Sequence, residues 1–464
     1  MTNTPFTQID SIIAAQKAAF ATGRTLPIRF RREQLARLSD AIHQWEQPLL
    51  EALWTDLHKS PEEAYLTEMS LVFAEIRTAR RKVRCWSRRE LKMPTMAVFP
   101  SMSYVVKEPL GTALIVSPWN YPVQLLLSPL VGAIAAGCTA VLKPSPYVPH
   151  VSKVIGDMIA ATFPEDYIAV VQGNRDVNAH LFSHPFDLIF YTGSPAVAHT
   201  VMEAAAKHLT PVVLELGGKS PCIIDRTANI EVAAKRIAWA KTLNSGQTCI
   251  APDYILIHRD VKEAFIAAFQ RQLVKLHGAD MQQSAHYVRM VSDKAFNRVS
   301  SYLSQGTIIS GGHTDATTRY IEPTLLDNVS PEAPVMQEEI FGPIFPMITL
   351  DDEDGTSFAD KVQQFVIARP KPLAFYYYGK ESTGWNLIRR TSSGGACIND
   401  SIMHIVNTNM PFGGVGNSGM GRYHDKESFN AFTHRRSVLA SPTWLDLPFR
   451  YMPYKLFSFI KHLV

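Results

Sequence analysis

Residues 109–142 carry no charge at all, and this constrains the chain more than any other feature. The run is long enough for a membrane span. It is interrupted, however, at Ser117-Pro118, at Trp119-Asn120-Tyr121-Pro122, at Ser128-Pro129 and at Gly137, and backbone left unpaired at such breaks is expensive in lipid. A buried strand, a loop, a buried helix and a second strand fit it better. Such elements need a large protein around them, and 464 residues supply one of two or three domains at about 150 residues each.

The pattern continues beyond that run. Short β-branched runs at 113–116, 140–142, 168–171, 188–191 and 212–214 alternate with segments long enough for helices, which predicts a doubly wound parallel α/β sheet with ligands at its carboxyl strand ends. It restarts after Gly217-Gly218, with strands at 222–224, 254–257 and 374–378 and a helix over 232–239, giving a second α/β unit over about 218–432. The first ninety residues read as helices, with Leu35, Leu38, Ile42 and Trp45 at helical spacing. Residues 96–106 alternate weakly and predict a hairpin or arm. At the end of the chain, Leu456, Phe459, Ile460 and Leu463 predict an amphipathic helix with Lys455, Lys461 and His462 between them, suited to docking on its own or a partner subunit.

Charge and cysteine usage narrow the function. The net charge of +4 is too small for this length to imply a nucleic-acid partner. The densest basic run, from Arg77 to Arg89, reads as a solvated helix face. Five scattered cysteines, without a Cys-x-x-Cys pair or a histidine at ligand spacing, argue for a reducing compartment and against a zinc site. Residues 1–12 lack the basic start and apolar run of a secretory signal, so the expected location is the cytoplasm.

Three side chains stand out as chemistry. Cys249 follows an apolar helix pattern in the polar stretch Asn244-Ser245-Gly246-Gln247-Thr248; a lone cysteine is usually inert. Glu215 ends an apolar strand, where a carboxylate is awkward unless it faces a cleft or a structural salt bridge, and burial there raises its pKa as a general base requires. Asn120 follows strand 113–116, placed either to donate to an oxyanion or to cap a turn. The stretch Thr192-Gly193-Ser194, at a strand-to-helix junction, offers a helix start for a phosphate but only one glycine of a dinucleotide fingerprint.

Taken in order, five segments resemble the aldehyde dehydrogenase superfamily, most closely its short class 3 branch. They are Trp119-Asn120-Tyr121-Pro122, Glu215-Leu216-Gly217-Gly218-Lys219-Ser220-Pro221, Ser245-Gly246-Gln247-Thr248-Cys249, Glu338-Glu339-Ile340-Phe341-Gly342-Pro343 and Pro411-Phe412-Gly413-Gly414-Val415-Gly416-Asn417-Ser418-Gly419. The resemblance implies a Rossmann-like nicotinamide-binding domain (1–90 and 109–217), an α/β catalytic domain (218–432), a bridging sheet used for homodimerisation (91–108 and 433–443) and a tail (444–464). It implies Cys249 as nucleophile, Asn120 as oxyanion donor and Glu215 as general base. Lys143 matches a lysine that holds the adenosine ribose, Gly193 and Ser194 lie at the expected phosphate turn, and Glu339 and Phe341 match residues that position the nicotinamide ribose and ring. Tyr121 and Trp239 are candidate pocket aromatics.

Two departures bear on the cofactor. Ala198 stands where the family has a glycine, which puts the phosphate geometry in question. Pro146 stands where it often has a ribose-binding glutamate, so the expectation is use of NADP as well as NAD. The expected reaction is oxidation of a hydrophobic, medium-chain or aromatic aldehyde to its acid, with no metal. The alternatives are a cofactor-independent thiol esterase and a non-catalytic binding protein on the same fold.

Overall fold

The charge-free segment folds as strand Thr112–Val116, helix Gln124–Ala136 and strand Thr139–Lys143, and every residue of the three elements is buried. The helix ends at Gly137, whose φ of 97° and lack of a side chain are both required. A Cβ there would lie 2.8 Å from the Arg31 guanidinium, which donates to the Ala135 carbonyl and so satisfies the helix end. The structure is a computed structural model and describes residues 2–446, 450–454 and 461. No helix among them is long and apolar enough to cross a membrane.

Strands Ile168–Val170, Leu188–Thr192 and Val212–Glu215 join the first two in a parallel sheet. In chain order these five strands are arranged 5-4-1-2-3, so the order reverses between Thr112–Val116 and Leu188–Thr192. That reversal opens a crevice at their carboxyl ends, bordered by Ser117 to Asn120 on one side and Thr192 to Ser194 on the other. A sixth, antiparallel strand, Gly419–Met420, pairs with Val212–Glu215. The sequence pattern placed this segment with the second unit; two residues carry too little periodicity to reveal their partner.

The chain crosses from the first sheet to the second within residues 216–220. Strand Pro221–Ile224 then enters a seven-stranded sheet with Tyr254–His258, Ile344–Leu350, Thr324–Asp327, Ala374–Tyr378 and Gly395–Ile398 in parallel, and Thr307–Ser310 antiparallel at one edge. Because the crossing is so short, the carboxyl end of the first sheet meets the amino end of the second. Cys249 lies at that junction, between helix Ile230–Thr242 and strand Tyr254–His258.

The first ninety residues are helical, and Leu35, Leu38 and Ile42 are fully buried. Arg77, Arg80, Arg81, Lys82 and Arg84 lie exposed on helix Ser70–Trp86, as a solvated helix face should, while Arg88 and Arg89, also exposed, follow the helix end. The arm is a strand only over Met102–Pro109. Met96–Val98 is instead a 3-10 turn, flanked by Pro94 and Pro100, which have no N–H to give a ladder. Met102–Pro109 pairs antiparallel with Glu90–Lys92 and Thr433–Ala440, and the last of these presents an exposed edge. Leu456, Phe459, Ile460 and Leu463 lie outside the described residues.

Candidate active site

Cys249 sits at the end of a loop whose backbone is held in an unusual conformation. Asn244, Ser245 and Gly246 all have positive φ, at 50°, 54° and 73°. Only Gly246 tolerates this without strain, and a Cβ on it would lie 2.3 Å from the Gly342 carbonyl. Two buried amides fasten the loop. Gln247 donates through Nε2 to the carbonyls of Asn244 and Arg289 at 3.1 Å and accepts from the Val291 N–H at 3.0 Å. Asn244 donates through Nδ2 to the Asn120 and Gln247 carbonyls at 3.0 and 2.9 Å.

Asn120 faces the same loop. Its Nδ2 donates one N–H to the Gln247 carbonyl at 3.0 Å, which leaves the second N–H available. Next to it the Tyr121 and Thr248 hydroxyls share a hydrogen bond of 2.7 Å. The turn is anchored from beneath by an ion pair of two fully buried side chains. Lys59 Nζ donates to Glu68 Oε1 at 2.7 Å and to the Asn120 carbonyl at 3.0 Å, while Glu68 Oε2 accepts from the Val123 N–H at 2.8 Å. Glu63 completes this support by accepting from the Asn244 N–H at 2.9 Å; burial raises its carboxyl to about 7.

Because a buried charge without its partner is expensive, Lys59→Met is expected to destabilise the protein by about 3–5 kcal/mol. The check is urea denaturation, and an unchanged midpoint would deny the pair a structural role.

On the opposite wall, Glu215 ends strand Val212–Glu215 with both carboxylate oxygens buried and without a hydrogen-bond partner. Burial alone raises its pKa well above the ordinary carboxylate range. Glu339 lies against Gly217, where a Cβ would come within 2.1 Å of its carboxylate, and burial raises it to about 8, assisted by Asp253. Burial also pushes the Cys249 thiol upward, and the Glu339 and Glu215 carboxylates add to the effect.

Cys249, Glu215, Asn120, Gly193, Ser194, Glu339 and Phe341 all line one cleft of about 540 Å³. The Phe341 ring stands edge-on to Trp119, with centroids 5.4 Å apart. Lys143, Tyr121 and Trp239 do not line the cleft. Lys143 ends its strand buried beside it, donates to the Pro144 carbonyl at 2.9 Å, and is lowered to about 8 by burial. Tyr121 turns toward Thr248 and Lys59, and Trp239 packs against the core. Ala198 is buried in the core and its methyl does not reach the cleft lining.

Sequence reasoning missed Lys59, Glu63 and Glu68, which read there as ordinary polar positions of a helical region, and it missed the cleft cations Arg298, Arg369 and Lys371. Asn244 and Gln247 carried a usable signal, being amides within the same short stretch as the cysteine.

Comparison with known proteins gives a consistent answer. A sequence model described as the aldehyde dehydrogenase family matches residues 2–438. The chain is 46% identical over 449 residues to a 4,4'-diaponeurosporen-aldehyde dehydrogenase of Staphylococcus aureus, covering 96% of each chain. It is 42% identical to a mouse aldehyde dehydrogenase described as dimeric and NADP-preferring, covering 93% of this chain and 94% of that one. Among solved structures, the substrate-bound state of Staphylococcus aureus AldH superposes with a TM-score of 0.95 at 45% identity, covering 98% and 99% of the two chains.

Proposed function

The chain belongs to the aldehyde dehydrogenase family, NAD(P)-dependent enzymes that oxidise aldehydes to carboxylic acids, and we propose that it acts on hydrophobic aldehydes through Cys249, Asn120 and Glu215. The observation that carries this reading is the convergence of those three side chains on one cleft at the crevice of a doubly wound sheet. Neither alternative, the esterase without a cofactor or the non-catalytic binding protein, is favoured by family membership.

The residues present fit a nicotinamide coenzyme. Helix Pro195–Ala206 begins at the cleft, and Ser194 makes no side-chain cap bond there, so its first N–H groups suit a pyrophosphate beside Gly193. Glu339 Oε1 is buried without a partner, as suits an acceptor for ribose hydroxyls, and Phe341, which lines the cleft, would bound the nicotinamide ring. Lys143 would hold the adenosine ribose. In this reading residues 1–90 with 109–217 bind the coenzyme and 218–432 supply the nucleophile. The open edge of the three-stranded sheet over 91–108 and 433–443 mediates a homodimer, in line with the description of the mouse relative as dimeric.

The chain's own residues divide the chemistry between them. Deprotonated Cys249 Sγ attacks the aldehyde carbon and forms a C–S bond; the oxygen takes the charge and accepts hydrogen bonds from the second N–H of Asn120 and the backbone N–H of Cys249. When bound, the coenzyme supplies the acceptor for the hydride that leaves this carbon. The acyl group then remains on Cys249 as a thioester. Glu215 takes a proton from a water, whose oxygen adds to the acyl carbon; the C–S bond breaks and the acid leaves with the thiol restored.

Trp119, Leu125, Met336 and Phe341 give the cleft apolar walls, in keeping with an apolar substrate such as the staphylococcal relative's name implies. The test is reduction of NAD and NADP with a panel of aliphatic and aromatic aldehydes. Cysteine-dependent turnover that rises with aldehyde hydrophobicity is expected; preference for short polar aldehydes would overturn the substrate class.

Dual coenzyme use follows from Pro146, which is exposed just beyond Lys143 and offers no carboxylate to repel a 2′-phosphate. Comparable catalytic efficiency with NAD and NADP is expected. Pro146→Glu should shift the ratio toward NAD by about tenfold, or about 1.4 kcal/mol. Steady-state kinetics check this, and a wild type strongly selective for NAD would refute it.

A further inference from the structure

Away from the cleft, one carboxylate and two imidazoles converge from separate parts of the first unit. Asp10 belongs to helix Phe6–Ala21, and His180 to helix Arg175–Phe182, with His184 one turn further along the chain. Their potential ligand atoms all lie within 4.8 Å of one another. His180 Nε2 is 2.6 Å and His184 Nε2 3.0 Å from the same oxygen, Asp10 Oδ1, and the two Nε2 atoms are 3.3 Å apart. The sequence expectation of no metal site took no histidine to stand at ligand spacing; His180, in the last turn of its helix, and His184, just beyond the helix end, depart from it.

Each imidazole can present Nε2 either as an N–H donor to Asp10 Oδ1 or as a free lone pair, and both Nε2 atoms face that one carboxylate oxygen. A divalent cation satisfies all three lone pairs at once. Two nitrogens each about 2.05 Å from a tetrahedral zinc ion lie about 3.3 Å apart, which is the separation present here.

The surroundings support the ligand geometry. The Phe6 ring stacks on His180, with centroids 4.2 Å apart and planes 9° from parallel, and so fixes the imidazole orientation. The three side chains keep 50%, 23% and 22% of their exposure, so an ion can enter and a water can fill a fourth position. Lys17, the cation that faces His184, donates to the Pro185 carbonyl at 2.7 Å and is thereby held aside.

We propose that Asp10, His180 and His184 form a zinc site, separate from the cleft, that clips the N-terminal helix to the segment preceding strand Leu188–Thr192. An imidazole pair with one carboxylate suits zinc and, as a spectroscopic stand-in, cobalt(II).

Metal-free full-length protein is titrated with zinc against a chromophoric chelator, with Asp10→Asn and His184→Gln alongside. One equivalent bound at micromolar affinity or tighter is expected, with a higher melting temperature. Each variant should lose more than the about 10–100-fold that removal of a merely supporting partner costs, while metal-free melting and aldehyde oxidation stay at the wild-type level. Cobalt(II) in the wild type should give ligand-field bands without thiolate-to-metal charge transfer. Absence of zinc binding, wild-type zinc affinity in both variants, or a thiolate charge-transfer band that disappears in Cys249→Ala would each overturn the site.

Discussion

Cys249→Ala is expected to lower aldehyde oxidation by about 10⁴- to 10⁶-fold, because removal of a nucleophile leaves only positioning and fixed hydrogen-bond donors to act on the substrate. The fold should not change. The loop that carries Cys249 is held by the Asn244 and Gln247 side chains and by the close fit of Gly246 against Gly342, none of which involves the sulfur. The deletion exchanges one half-buried sulfur at the cleft wall for solvent, so the melting temperature and the coenzyme affinity should match the wild type. Reduced-nicotinamide absorbance at saturating aldehyde is the measurement. Turnover above about one hundredth of the wild-type rate in a folded variant would remove Cys249 from the mechanism and leave a direct hydride transfer to be explained.

Sensitivity to pH belongs to the same argument. Burial and two neighbouring carboxylates keep the Cys249 thiol protonated, so the reactive thiolate becomes more populated as pH rises.

The main strands were legible because burial on both faces produces apolar β-branched runs that nothing else in this chain imitates: Thr112–Val116, Leu188–Thr192 and Pro221–Ile224 lie within a residue or two of where the pattern puts them. The cleft was legible for a related reason. Asn120 and Glu215 interrupt apolar surroundings at strand ends, and a polar group there demands an explanation. The supports of the site were not legible. Lys59 and Glu68 meet inside the protein, yet along the chain they are two charges among many in a helical region. The left-handed backbone at Asn244 suits asparagine, whereas Ser245 gives no such hint. Gly419–Met420 is too short to have a period, and only its pairing with Leu214 and Glu215 reveals that it closes the edge of the first sheet.

Glu215→Gln is expected to separate the two halves of the reaction. The amide keeps the shape of the side chain but cannot take a proton, so acyl transfer to Cys249 continues while release of the acid slows by about 10²- to 10⁴-fold. Rapid mixing should show about one equivalent of reduced nicotinamide per active site, followed by a stalled steady state. The pH profile supplies the second readout. Burial raises the Glu215 carboxyl, and the base is its ionised form, so wild-type turnover should climb as pH rises and fall as pH drops toward the ordinary carboxylate range. In the variant, the part of that dependence belonging to acid release should vanish, while the part belonging to Cys249 ionisation persists in the rate of the burst. Steady turnover at the wild-type rate would show that another group activates the water, and Glu339, at about 8 and on the same cleft, would take its place. Loss of the burst itself would mean that Glu215 is needed earlier, to take the proton of Cys249.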